Sequence, residues 1–204
     1  MPSQTFMNLK KDKKQRLMDA ILKEVAHTPY EHINIQNIIK EALIPRGSFY
    51  QYFTDKKDMY TYLFTYIKTI KMAYFEHVFV SNYESFFERM EALYLSGLRF
   101  KKDYPVLVQA GAYMMASEIY RSSEMVLEGQ NAMSALYAFW IKEDQKKGLI
   151  KEEVDSELLA GLLMDFLNKI TEDSFIYHKY DETAWEKAIR SILEMLKKGI
   201  INHV

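Results

Sequence analysis

The stretch IPRGSFYQYFTDKKD, residues 44–58, is where the reading of this chain begins. Arg46, Ser48, Tyr50, Gln51, Tyr52 and Lys56 crowd around two apolar rings, Phe49 and Phe53. A plain core segment has no use for polar groups at that density. A short helix that buries one face and offers the other to a partner does.

The flanks support a helical reading. Upstream, Asn34 can cap a helix whose apolar stripe is Ile35, Ile38, Ile39 and Ala42, about two turns long. Pro45 stops that pattern or opens the next helix at its first turn. Gly47 to Phe53 supplies that third, very short helix. Further back, Leu17, Met18, Ile21, Leu22 and Val25 mark one stripe of a helix over 13–27, broken by Thr28-Pro29-Tyr30. Downstream, Thr54 or Asp55 caps a long uninterrupted helix over roughly 56–80.

Two short helices joined by a tight turn and packed on a longer first one make a helix-turn-helix, whose second member enters the DNA major groove. Ile38, Ile39, Ala42, Ile44, Phe49 and Phe53 form the expected inner face. Arg46, Ser48 and Gln51 form the outer one: Arg suits guanine, Gln suits adenine, and Ser suits several partners. Tyr50, Tyr52 and Lys56 have the chemistry for phosphate oxygens, with Tyr50 able to pack its ring while its hydroxyl reaches out. Lys56 also sits at the start of the long helix, where backbone N–H groups favour an anion.

These residues resemble the DNA-binding signature of TetR-type transcriptional regulators. The likeness runs over about residues 15–62 and is carried by INIQNIIKEALIPRGSFYQYFTDKKDMY. Asn34 takes the capping place, Ile38 and Ala42 the inner positions, and Arg46-Gly47-Ser48-Phe49-Tyr50 the recognition start. Tyr52-Phe53 is the aromatic pair and Lys56 the opening of the next helix. The resemblance implies Asn34, Pro45, Arg46, Gly47, Ser48, Tyr50, Gln51, Tyr52 and Lys56 as the DNA-binding set. Two positions depart from the pattern: Leu43 replaces the usual turn glycine and Pro45 the usual serine. A left-handed turn is harder for Leu than for Gly, so an altered turn is expected.

The totals agree with an all-α protein of about nine helices. The 204 residues contain only seven Gly and four Pro, and nearly half are hydrophobic. With no Cys there is no disulfide framework, thiolate zinc site or Cys nucleophile. The first residues lack the apolar run of a signal peptide, and no stretch is apolar for long enough to span a bilayer. A cytoplasmic location is the expectation. The net charge of −1 hides an asymmetry: residues 1–60 carry +3 and the remainder −4, with Lys10, Lys11, Lys13, Lys14 and Arg16 facing only Asp12 near the start. A solvated helix start would explain that cluster equally well.

Residues 61–204 are read as an effector-binding and dimerisation domain, after a DNA-binding domain over 1–60. SFFE at 85–88 and TAWE at 183–186 are predicted capping boxes. Ser122 can cap a helix ending near Lys147-Gly148, Asp155 caps another, and one helix is expected from Pro105 to about Tyr120. ELLAGLLMDFLNKI and AWEKAIRSILEML carry broad apolar faces, with Gly161 allowing close approach. Leu158, Leu159, Leu162, Leu163, Ile189, Ile192, Leu193 and Leu196 are expected to build a four-helix homodimer interface, the alternative being an internal core. Tyr94, Phe100, Tyr113, Met114, Tyr137, Trp140 and Phe166 are candidates to line a pocket for an apolar or aromatic small molecule.

The function expected is a dimeric repressor that leaves a palindromic operator when its effector binds. The alternative is a helical small-molecule or lipid carrier with a silent helix-turn-helix. An enzyme is not expected: GxSxG, Walker-type, GxGxxG and HExxH patterns are absent, and His27, His32, His77, His178 and His203 are scattered. No cofactor, metal or membrane partner is expected.

Overall fold

The computed structural model describes residues 2–177 and 181–200. His178 and His203 fall outside them. Among the described residues the chain has no strand and forms eleven α-helices, nine of them seven residues or longer. In chain order they are α1 (Gln4–Met7), α2 (Lys11–Val25), α3 (Ile35–Ala42), α4 (Arg46–Tyr52), α5 (Lys56–Val80) and α6 (Phe86–Asp103). Then come α7 (Pro105–Ala116), α8 (Glu118–Arg121), α9 (Glu124–Lys146), α10 (Ser156–Phe175) and α11 (Glu182–Ile200). A 3-10 turn, Tyr30–His32, follows the Thr28-Pro29 break.

The helix starts show which polar side chains compete for the backbone. Asp155 accepts from the amides of Glu157 and Leu158, both at 3.0 Å. At α6 Ser85 accepts from the Glu88 amide, but the Glu88 carboxylate reaches past Ser85 to the Glu84 amide at 3.0 Å. The start of α11 lies earlier than TAWE suggests. Asp181 accepts from the Ala184 amide at 2.8 Å, so an acidic cap two residues upstream takes precedence over Thr183. The single helix expected over 105–120 is two. The Ser117 hydroxyl donates to the Met114 carbonyl at 2.6 Å and its backbone is extended, which ends α7 before α8 begins. Ser123, not Ser122, stands at the start of α9, because the Ser122 hydroxyl donates back to Glu118 in α8. Gly148 closes α9 in the left-handed region at φ 70°.

The chain divides into two compact units. The first comprises residues 1–76 and 99–117, the second 77–98 and the chain from Glu118 onward. In the first, α2 packs on α3 and on α7, and α1 packs on α4. Leu17, Met18, Ile21, Leu22 and Val25 are all buried. In the second, α9 and α10 pack along one another. Tyr94 of α6, Ile170 of α10, and Trp185 and Ile189 of α11 form one buried cluster, with Phe166, Leu167 and Leu193 packed against it. Among the described residues, no helix is long and apolar enough to cross a membrane.

Candidate nucleic-acid interface

The candidate surface is built from α3, the turn after it, and α4. Asn34 sits just before α3 and its side chain accepts from the Gln36 amide at 2.9 Å. Its own amide donates to Glu24 of α2 at 2.8 Å, and the Asn37 side chain donates to the same carboxylate. Glu24 thus fixes the start of α3 against α2. At the other end Leu43 adopts φ 54°, ψ 47°, the only non-glycine residue with positive φ among those described. The Ile44 amide bonds Ile39 O at 3.2 Å and the Leu43 amide bonds Lys40 O at 3.3 Å. This is the paired closure that glycine usually permits, made here by leucine. The left-handed turn is therefore kept, not altered, and the Leu43 side chain is 80% exposed.

Pro45 leads into α4 with φ −62°, ψ 146°, and its carbonyl accepts from the Ser48 amide at 2.9 Å. The seven residues of α4 then divide cleanly. Phe49 and Tyr52 point inward, and Phe53 just beyond is buried too. Arg46, Gly47, Tyr50 and Gln51 are exposed and Ser48 is half-buried. Ile38, Ile39, Ala42 and Ile44 complete the buried face. A Cβ at Gly47 would meet nothing within 4 Å, so no neighbour inside the protein demands glycine there.

Two residues of the expected DNA-binding set are placed differently. Tyr52 is only 3% exposed, with its ring beneath the Lys13 ammonium. Lys56 turns back into the protein. Its ammonium donates to the carbonyls of Tyr30 at 2.8 Å and Glu31 at 3.2 Å and lies over the Tyr30 ring. Burial, then the nearby Asp55 and Glu31 carboxylates, raise the Tyr30 phenol pKa above its usual value. The side chain that caps α5 beside Lys56 is Asp55, which accepts from the Asp58 amide at 2.7 Å.

One part of this surface was not read from the sequence at all: α1. Ser3 and Phe6 lie against the end of α4, and a four-residue helix leaves almost no periodicity to detect. The basic start of α2 is close by, with Lys14 over the Phe6 ring at 4.8 Å and Lys10, Lys11 and Arg16 exposed.

The candidate pocket residues are divided between the two units. Phe100, Tyr113 and Met114 belong to the first unit, where Phe100 packs with Tyr74, Phe75 and Tyr104. Tyr94 and Phe166 meet in the buried cluster of the second unit. Tyr137 and Trp140 stack at 5.7 Å elsewhere in that unit, where Trp140 also meets Phe79 and the Arg89 guanidinium. Burial pushes the Tyr137 phenol up to about 12. A depression of about 480 Å³ lies on α11 between Glu186, Arg190 and Glu194, and none of the seven candidates lines it. Of the candidate dimer residues, Leu159, Leu163 and Ile189 are buried within the unit, and Ile192, Leu193 and Leu196 are half-buried. Leu158 and Leu162 stand 61% and 59% exposed. Among the described residues no group of three or more His, Asp or Glu is placed to hold a metal.

Residues 17–63 match the family model of the bacterial regulatory proteins of the tetR family. The whole chain superposes on a TetR family transcriptional regulator from Chloroflexus aurantiacus J-10-FL, with a TM-score of 0.81, 24% identity and 100% of each chain covered. It is similar in fold to the fatty acid degradation regulator FadR from Bacillus halodurans, with a TM-score of 0.71, 16% identity, and 94% and 98% of the two chains covered. A gamma-butyrolactone receptor described as ArpA-like gives a TM-score of 0.73 at 13% identity, over 94% of this chain and 89% of its own. No curated protein sequence matches the chain.

Proposed function

We propose that this chain, a TetR-family protein by its residues 17–63, is a dimeric repressor that leaves a palindromic operator when a small apolar or aromatic molecule binds. The observation that carries the reading is the two-faced α4. Phe49, Tyr52 and Phe53 anchor it while Arg46, Tyr50 and Gln51 stand in water with Ser48 beside them. Arg46 and Gln51 are the base-reading candidates, and Ser48 and Tyr50 suit phosphate or base edges. Gly47, open on its outer side, lets the DNA backbone come close. Tyr52 and Lys56 hold the surface in place from behind. The left-handed Leu43 favours an intact motif over a carrier with a silent one.

The exposed Leu158 and Leu162 support a homodimer through α10. Two copies would present two α4 helices about one DNA turn apart, roughly 34–36 Å. Two of the similar folds are named for fatty acid degradation and for a gamma-butyrolactone, which favours an effector with an acyl character. The aromatic and methionine side chains of α9 and α10 suit such a molecule. Effector binding shifts the spacing of the recognition helices through α5, which is continuous from Lys56 to Val80. That requires the effector to prefer one arrangement over the other.

Selection of bound duplexes from a random DNA pool tests the reading. An enriched palindrome with two half-sites is the expected result, and Arg46→Ala should flatten its sequence preference. A folded dimer that enriches no sequence would refute DNA recognition and leave the carrier reading.

A further inference from the structure

A helix of seven residues cannot hold itself. Isolated helices shorter than about 12–15 residues are marginal in water, and the last carbonyls of any helix lack intrahelical partners. Asn34 and Glu24 secure α3 at its start, and Leu43 closes its end. What secures the end of α4 comes from far away in the chain. The Ser3 amide donates to the Tyr52 carbonyl at 2.9 Å, and the Ser3 hydroxyl donates to the Gln51 carbonyl at 2.5 Å. These are terminal carbonyls of α4. Three residues on, Phe6 is completely buried. Its ring lies 4.9 Å from Phe53, 5.0 Å from Tyr62 of α5 and 6.2 Å from Tyr52. The Ser3 hydroxyl also accepts from the Phe6 amide, so one side chain caps α1 and bonds α4. Lys13 and Lys14 close over Tyr52 and Phe6 from the start of α2.

We infer that residues 3–6 are a clamp that sets the pose of the recognition helix, with Ser3 and Phe6 as positioning residues for sequence reading. The clamp acts on the inward side and on the helix end, opposite the face carrying Arg46 and Gln51. It governs discrimination between DNA sequences and leaves general attraction to phosphate intact, because the exposed lysines of α2 stay where they are. The inference rests on the DNA-recognition reading above for its functional half. Its structural half, the ordering of α4, stands independently of DNA.

The test uses the full chain with Phe6→Ala, Phe6→Leu and Ser3→Pro. Ser3 already has φ −67°, so proline fits its backbone while removing both donors to α4. Two quantities are measured: amide exchange at Tyr50–Phe53 against that of α9 and α10, and affinity for a selected operator against a scrambled duplex. The expected result for Phe6→Ala and Ser3→Pro is exchange faster by at least about tenfold in α4 alone. The operator-to-scrambled affinity ratio should fall by about tenfold or more, as for loss of one good base contact. Phe6→Leu should recover most of both. Unchanged exchange at Tyr50–Phe53 would overturn the clamp. So would a loss spread evenly over α9 and α10, or equal weakening on both duplexes, since those report a merely structural role. If the unsubstituted chain ignores every duplex, the DNA reading has failed, and the exchange data alone decide whether the clamp exists.

Discussion

Around α4 most of the large apolar side chains are closed off, whereas on α10 Leu158 and Leu162 are left in water. Phe6, Phe49, Phe53 and Tyr62 pack ring against ring beneath α4, and Pro45, Arg46, Gly47, Tyr50, Gln51 and the exposed Leu43 face outward. In the second unit the aromatic rings are dispersed, Tyr94 with Trp185 in one place and Tyr137 with Trp140 in another, and Leu158 and Leu162 remain uncovered on the same side of one helix. A helix-turn-helix meets a hydrated, charged partner, so it needs a finished apolar interior and a polar exterior. If the second unit joins its own copy, as proposed, it needs the reverse, an apolar surface for the copy to cover.

The sharpest way to break this contrast is to open the finished interior. Phe49 has no exposed surface, and Phe49→Ala should destabilise the first unit by about 3–5 kcal/mol. Chemical denaturation of the full chain, followed by circular dichroism, reads the loss. A change below about 1 kcal/mol would show that the ring cluster can collapse around the gap and is not tightly built.

Leu162→Glu tests the other half. The side chain is more than half exposed, so the fold of one chain should be nearly unaffected. In a dimer built on α10, two carboxylates would be desolvated without partners. The dissociation constant should then rise by about 100-fold, roughly 3 kcal/mol. Sedimentation at graded concentrations measures it. A dimer of unchanged affinity would move the interface off this face of α10.

The sequence made the first region more legible than the second, for physical reasons. A helix-turn-helix is a local object: the spacing of Ile38, Ile39, Ala42, Phe49 and Phe53 carries both its shape and its inner face. Helices of the second unit were equally readable from their stripes and stops, as Asp155 and Gly148 show. What periodicity cannot say is which apolar stripe meets which. Leu158 and Leu159 are neighbours in sequence, one in water and one in the core. Phe100 and Tyr94 are close in sequence yet belong to different units. The role of α1 was missed because Ser3 and Phe6 act across nearly fifty positions. Lys56 looked like a phosphate ligand because sequence shows its charge but not the two carbonyls that hold it.

A smaller effect probes a polar join within the second unit. Asp144 of α9 is buried and accepts from the Phe86 amide at 2.6 Å, capping α6 from outside its own sequence neighbourhood. Lys147 lies 3.5 Å from its other oxygen. Asp144→Ala leaves the amide buried without that acceptor and should lower stability by about 1–3 kcal/mol. Asp144→Asn, which keeps an acceptor, should lose less. If both lose equally, the charge toward Lys147 matters more than the cap.

The smallest expected effect returns to the left-handed turn at Leu43. Left-handed backbone costs a non-glycine residue about 1–2 kcal/mol, and glycine gives back part of that gain by its freedom when unfolded. Leu43 is so exposed that its side chain contributes little burial to offset the strain. Leu43→Gly should therefore stabilise the chain by about 0.5–1 kcal/mol, seen as a rise of a few degrees at most in Tm. Leu43→Ala separates the causes. It removes the same exposed surface but keeps a Cβ in the left-handed region, so it should change Tm by less than Leu43→Gly does. A fall in stability with glycine would mean that the Leu43 side chain stabilises the turn, and that the departure from glycine is not a strain. If Leu43→Gly is stabilising and Leu43→Ala is neutral, the strain lies in the left-handed backbone itself, and the leucine side chain does nothing to offset it.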